Sequence, residues 1–142
     1  MTKKAAPKMW IYKTEPETYS FEQLLKGGKT NWNGVRNFQA RNFLKQAQTG
    51  DEVVIYHSGK EKSAVGLAKV IRAAYEDMDL DQPGDWVQVD IKAIRKFAKP
   101  ISLTAMKADK VLKEMQLVRQ SRLSVSPLTK KEFSQILSLS EK

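Results

Sequence analysis

The segment richest in chemistry runs from Trp32 to Asn42, Trp-Asn-Gly-Val-Arg-Asn-Phe-Gln-Ala-Arg-Asn. It packs two arginines, three asparagines and one glutamine into eleven residues. Planar side chains of this kind donate and accept in pairs, which is what nucleobase edges and phosphates require. The segment also enters a helix, whose first N–H groups face outward toward an anion. A plainer account is available: Asn33 caps the helix and the remaining polar groups form a wet face. A second polar spot, Tyr56-His57-Ser58-Gly59, ends an apolar run. A lone histidine there is either a ligand or a hydrogen-bonded structural residue. Trp10, Tyr12, Trp32, Tyr56 and Trp86 are the candidates for stacking on a base, worth about 1–3 kcal/mol where it occurs. Trp32 is singled out because Asn31 and Asn33 flank it, whereas most aromatics of a small domain belong to the core.

Much other chemistry is excluded by composition. His57 is the only histidine and there is no cysteine, so two-histidine metal sites, thiolate zinc sites, disulfides and a cysteine nucleophile are impossible. No serine sits in a Gly-x-Ser-x-Gly elbow, and neither a Gly-x-x-x-x-Gly-Lys loop nor a Gly-x-Gly-x-x-Gly turn is present. The densest acids, Glu76 to Asp85, fall in a loop carrying Pro83-Gly84 and read as solvated surface. Paired carboxylates stay open as an enzyme's means, and a lone general base is enough for some chemistry. Neither a cofactor nor a metal is expected.

The 25 Lys and Arg residues against 16 Asp and Glu leave a net charge of +9, which favours a polyanionic partner. The excess is uneven. Up to Asp90 there are 13 basic and 12 acidic residues, and after it 12 basic and 4 acidic. Lys92, Arg95, Lys96, Lys99 and Arg119 are the phosphate-binding candidates in that basic third. A solvated face beside an acidic loop explains the same run. With 41% hydrophobic residues the chain is globular. Its 142 residues fit a basic tail over residues 1–8 and a single domain over 9–142. The tail leads into a strand and contains neither a signal peptide nor an apolar span, so no membrane partner is expected. A cytoplasmic protein, favoured as a monomer, fits these features.

Positioning such residues requires recognisable elements. Met9 to Lys13 predicts a buried strand ending at Glu15-Pro16. Ser20 and Gln23 have capping-box spacing ahead of Phe21, Leu24 and Leu25, with Gly27-Gly28 as the stop. A second helix is predicted from about Val35 to Gln48, its stripe formed by Ala40, Phe43, Leu44 and Ala47. Glu52–His57 and Ser63–Tyr75 predict a hairpin. A third strand runs from Trp86 to about Phe97, its buried Val87, Val89, Ile91 and Ala93 alternating with a wet face of Trp86, Gln88, Asp90 and Lys92, and Pro100 closes the strand region. Short helices follow near Leu103–Lys107 and Lys110–Met115. Thr129 and Glu132 form a second capping box, with Leu128 and Phe133 at staple spacing. Strands and short helices without regular alternation predict an α+β fold, a small, mostly antiparallel sheet or barrel flanked by helices.

Four motifs in order carry a resemblance: Trp10-Ile11-Tyr12-Lys13-Thr14-Glu15-Pro16, the Trp32–Asn42 run, Tyr56-His57-Ser58, and Arg122-Leu123-Ser124-Val125-Ser126-Pro127-Leu128-Thr129 with Glu132-Phe133. Together they resemble the EVE domain from about Met9 to Leu139. Thr14 departs mildly, standing where serine is frequent and keeping the hydroxyl. The resemblance implies a PUA-like fold, a small mixed β-barrel flanked by short helices and related to YTH domains, and a binding module rather than an enzyme. It also implies readout of modified bases such as 5-methylcytosine and its oxidised forms in DNA. By position, the pocket would draw on Lys13, Thr14 and Glu15, on Trp32, Arg36, Asn37 and Arg41, on Tyr56, His57 and Ser58 at the barrel rim, and on Arg122 and Ser124. Two other classes stay open: an RNA-binding module of tRNA or rRNA metabolism, and an enzyme or small-metabolite binder using the same pocket.

Overall fold

Side-chain caps set the start of four of the five α-helices among the described residues, Gln116–Arg119 lacking one. In the computed structural model, which describes residues 8–35, 37–77, 85–120 and 122–141, Ser20 Oγ accepts from the Gln23 N–H at 3.2 Å and Gln23 Oε1 accepts from the Ser20 N–H at 2.8 Å. Helix α1 (Phe21–Gly27) follows and stops at Gly28, whose φ of 83° only glycine adopts cheaply. The same reciprocal pair at Thr129 and Glu132 opens α5 (Lys130–Ser140). Most of the basic tail, Arg36, and the acidic loop over 78–84 with Pro83-Gly84 lie outside the described residues.

The strands are β1 (Met9–Thr14), β2 (Lys29–Trp32), β3 (Glu52–His57), β4 (Ser63–Glu76), β5 (Val87–Ser102) and β6 (Val125–Leu128), and the other helices α2 (Phe38–Gln46), α3 (Leu103–Ala108) and α4 (Gln116–Arg119), with a 3-10 turn at Leu112–Glu114. Several elements differ from the sequence reading. Asn37, not Asn33, caps α2: its Oδ1 accepts from the Ala40 N–H at 2.9 Å, so the helix begins three residues later than its periodicity predicts. Strand β5 continues through Pro100 because β4 pairing skips from Gly66 opposite Lys96 to Ala64 opposite Ile101, and the missing proline N–H falls in that bulge. Trp86 is buried rather than on a wet face, for Phe38 covers it. Strands β2 and β6 carry no alternation long enough to announce them. In β6 Pro127 is tolerated because the strand is an edge.

The six strands form one sheet in the order β2-β5-β4-β3-β1-β6, antiparallel except for β1 beside β3. Repeated register shifts between β4 and β5 add twist and bend that long hairpin. The sheet curls until β2, its first strand, meets β1, its fifth: the Tyr12 and Trp32 rings lie 5.6 Å apart. The curl matches the expected barrel, but the described edges β2 and β6 do not pair, so it is open rather than closed. Inside it Trp10, Tyr12, Val53, Val89 and Ile91 pack against Phe21 and Leu24 of α1 and Ala40 and Leu44 of α2. The outer face packs Ile11, Val54, Tyr56 and Phe97 against Met106, Leu112, Leu117, Phe133 and Ile136.

One close approach holds α1 to the sheet. A Cβ on Gly66 would stand 2.4 Å from the buried Phe21 ring. Gly66→Ala is expected to cost about 1–3 kcal/mol through overpacking. Urea unfolding measures it, and an unchanged midpoint would show that the ring moves aside freely.

Candidate functional site

The seam left by the open sheet is a cleft of about 530 Å³. Lys13 and Thr14 at the end of β1 form one wall, and Thr30, Asn31 and Trp32 of β2 the other. The β2–α2 connection contributes Asn33, Gly34, Val35 and Asn37, the β1–α1 turn Thr18 and Tyr19, and Ser124 closes the near end. That turn is shaped by the Glu15 carbonyl, which accepts from the Thr18 and Tyr19 N–H groups at 3.0 and 2.9 Å. Gly34 bends the connection at φ 79°, a conformation that strains other residues, and its N–H donates to Asp77 Oδ2 at 2.9 Å.

Trp32, 8% exposed, is the aromatic floor. Tyr12 backs it from the core, and Tyr19 stands nearly perpendicular to it, 82° between planes at 6.4 Å. Burial, and then the Asp51 carboxylate, raise the Tyr12 phenol far above its ordinary range, so the wall behind Trp32 is neutral. Half-burial lowers the pKa of the Lys13 ammonium. Thr14 Oγ1 donates to the Tyr19 carbonyl at 2.9 Å and is left as an acceptor. Asn37 uses its Oδ1 for the α2 cap and carries two donors on its amide NH₂. The cleft thus joins two aromatic faces at a corner and rings them with short donors and acceptors.

Asn37 also lines a second groove of about 320 Å³, with Gln39, Arg119, Gln120 and Arg122 beside it. Arg119 stands 4.0 Å from Glu114. This groove shares Asn37 with the cleft and is lined by planar donors.

The structure brings together Lys13, Thr14, Trp32, Asn37 and Ser124, with Arg119 and Arg122 alongside. Others fall elsewhere. Glu15 contributes its backbone to the turn. Tyr56 is 2% exposed in the outer core, on the opposite face from Trp32, and burial raises its phenol. His57 Nε2 lies 2.9 Å from the Phe21 N–H and its Nδ1 2.8 Å from Glu61 Oε2. Because Phe21 can only donate, Nδ1 carries the proton and donates to Glu61. His57 therefore holds the start of α1, and the structural alternative is the one realised. Ser58 gives its N–H to the Thr14 carbonyl at 2.9 Å and does not line the cleft. Arg41 stacks beside Phe38 and Trp86. Arg36 lies outside the described residues.

The basic candidates meet different partners. Lys96 pairs with Glu22 at 2.7 Å, which lowers the Glu22 carboxyl and raises the Lys96 ammonium, and Arg95 stands 3.6 Å from Glu141. Lys92 is opposite Lys29 and Lys69 on neighbouring strands, and Lys99 is exposed on the bulged end of β5. Residues that sequence reasoning missed include Thr18, Tyr19, Thr30 and Val35. A four-residue edge strand gives no periodic signal, and the turn after Glu15-Pro16 was the available clue to Tyr19. Among the described residues no group of three His, Cys, Asp or Glu could hold a metal, and no helix is long and apolar enough to cross a membrane.

Comparison with known proteins agrees with the motifs. Residues 8–139 match the EVE domain. Thymocyte nuclear protein 1 of Homo sapiens is 37% identical, the alignment covering 94% of this chain and 74% of that protein. A hypothetical protein from Leishmania major superposes with a TM-score of 0.89 at 34% identity, covering 95% of each chain. The human THYN1 protein, solved in complex with 5-methylcytosine-containing DNA, superposes with a TM-score of 0.86 at 36% identity over 95% of this chain and 98% of that one. With its motifs in order, its fold shared and nearly its whole length matched, this chain belongs to the EVE domain family.

Proposed function

We propose that this protein binds DNA carrying a modified cytosine and reads that base, extruded from its stack, in the seam between β1 and the β2–α2 connection. The carrying observation is the cleft itself. Its 530 Å³ falls within the roughly 300–1,000 Å³ of small-molecule sites. Trp32 and Tyr19 offer a stacking face and an edge contact, and Lys13, Thr14, Asn37 and Ser124 offer polar groups at the rim. A base inside a duplex cannot reach such a seam, so extrusion accompanies binding. The phosphates of the same strand run along Arg119 and Arg122 in the adjoining groove. DNA bound to a relative of this fold and identity supports the polymer. The protein acts by binding, and its specificity and its charge reside in different segments.

Fluorescence anisotropy against oligonucleotides differing at one position, cytosine or 5-methylcytosine, tests this in single-stranded, duplex and RNA forms. Tighter binding of the methylated DNA is expected. Equal affinity for every oligonucleotide, falling steeply with salt, overturns the base reading in favour of general nucleic-acid binding. His57 supplies an internal check. His57→Ala is expected to lower stability by about 1–3 kcal/mol by leaving the Phe21 N–H unpaired, with the methylation preference intact. A folded His57→Ala protein that loses the preference would return His57 to the site.

A further inference from the structure

Only two large apolar side chains among the described residues stand exposed, Ile94 and Phe38, and Phe38 is 61% exposed. Its position is not that of a stray surface residue. Phe38 directly follows Asn37, the residue shared by the cleft and the Arg119–Arg122 groove, and it opens α2, whose capped first turn fixes its backbone. One face of its ring stacks on buried Trp86, with centroids 5.2 Å apart and planes 23° from parallel. The Arg41 guanidinium lies 5.0 Å from the Phe38 centroid and 5.8 Å from that of Trp86, and Nε and Nη2 of Arg41 both donate to Asn42 Oδ1, at 3.1 and 2.9 Å. Covering Trp86 accounts for one face of the phenylalanine. The rest of the ring is exposed, one residue along the chain from Asn37 of the cleft. The neighbouring charge is partly balanced, since Lys45 pairs with Asp85, so the patch offers a π face more than a cationic one.

We infer that Phe38 is a second stacking platform, which takes the base next to the one held in the cleft. The inference rests on the cleft reading above. Extruding a base leaves its neighbour with one unstacked face, and a rigid aromatic ring replaces that contact with little ordering cost. The platform touches a neighbour rather than the modified base, so it contributes affinity without methylation preference.

The test is a double-mutant cycle between protein and DNA. A duplex with one 5-methylcytosine is compared with duplexes in which the nucleotide on its 5′ or 3′ side, in the same strand, is abasic. The wild-type protein is expected to lose about tenfold in affinity at one of these two positions. Phe38→Ala should lose about tenfold on the intact duplex and then be indifferent to that abasic nucleotide. Phe38→Leu, apolar but without a π face, should resemble Phe38→Ala. The preference for 5-methylcytosine should be unchanged in both variants, and thermal melts should show both folded, since the ring is exposed. Equal responses of wild type and Phe38→Ala to both abasic duplexes, with a Trp32-dependent preference retained, overturn the platform alone. A wild-type protein that binds none of these duplexes overturns the platform and the cleft reading together.

Discussion

Trp32→Ala is expected to abolish the preference for methylated over unmethylated DNA and to weaken binding of the methylated oligonucleotide by about ten- to a hundredfold, the range of a lost base–aromatic stack. The reason is geometric. Trp32 is, among the described residues, the buried core aromatic that also lines the cleft, packed on Tyr12. Removing it deletes the stacking surface and opens the wall behind it. A stability loss accompanies the change, in the roughly 3–5 kcal/mol range of a buried tryptophan truncation. Trp32→Phe separates the two effects: it keeps an aromatic face and most of the packing, and should retain part of the preference. Titration by anisotropy, with thermal melts on the same samples, reads both. A folded Trp32→Ala protein that still prefers methylated DNA would remove the cleft from the mechanism.

Asp51→Ala is expected to destabilise the fold by about 3–5 kcal/mol. This carboxylate is 2% exposed and makes three hydrogen bonds. Its Oδ1 accepts from the Lys8 N–H at 3.0 Å, and its Oδ2 from Trp10 Nε1 and the Gln48 N–H, both at 2.9 Å. The Asp51 backbone carbonyl accepts from the Val70 N–H at 2.8 Å. One residue therefore ties the start of β1, the end of α2 and strand β4 together. Alanine would leave the Trp10 indole N–H buried without an acceptor, a larger penalty than the bond alone. Asp51→Asn keeps one oxygen but sets an amide NH₂ against a donor, so an intermediate loss is expected. Urea unfolding checks both, and a shift within about 0.5 kcal/mol for Asp51→Ala, the range of ordinary surface changes, would refute this account of the staple.

Much of the framework was legible before any coordinates. Capping boxes at Ser20–Gln23 and Thr129–Glu132 depend on groups three residues apart, so spacing alone reveals them. The runs at Glu52–His57 and Ser63–Glu76 announce a hairpin through apolar, β-branched composition. Trp32 stood out between two asparagines, and it lines the cleft. The motif run also identified the family.

Other features depend on contacts remote in the chain. Trp86 reads as wet by its alternation, yet Phe38, far from it in sequence, buries it. Tyr56 and His57 lie in a family motif, but the former faces the outer core and the latter is consumed by the first N–H of α1. The basic third reads as one surface, whereas Glu22 and Glu141 neutralise parts of it from other elements.

What the sequence by itself determined is where the two box-capped helices begin, which runs form the β3–β4 hairpin, and which planar and aromatic residue types the Trp32–Asn42 segment holds, because each depends on neighbours a few positions apart. Only the tertiary structure decided where those residues meet. The cleft exists because twist and bulges accumulate along β4 and β5 until the first strand of the sheet approaches its fifth without pairing, and a sum over many non-local pairings leaves no signature in any short stretch of chain.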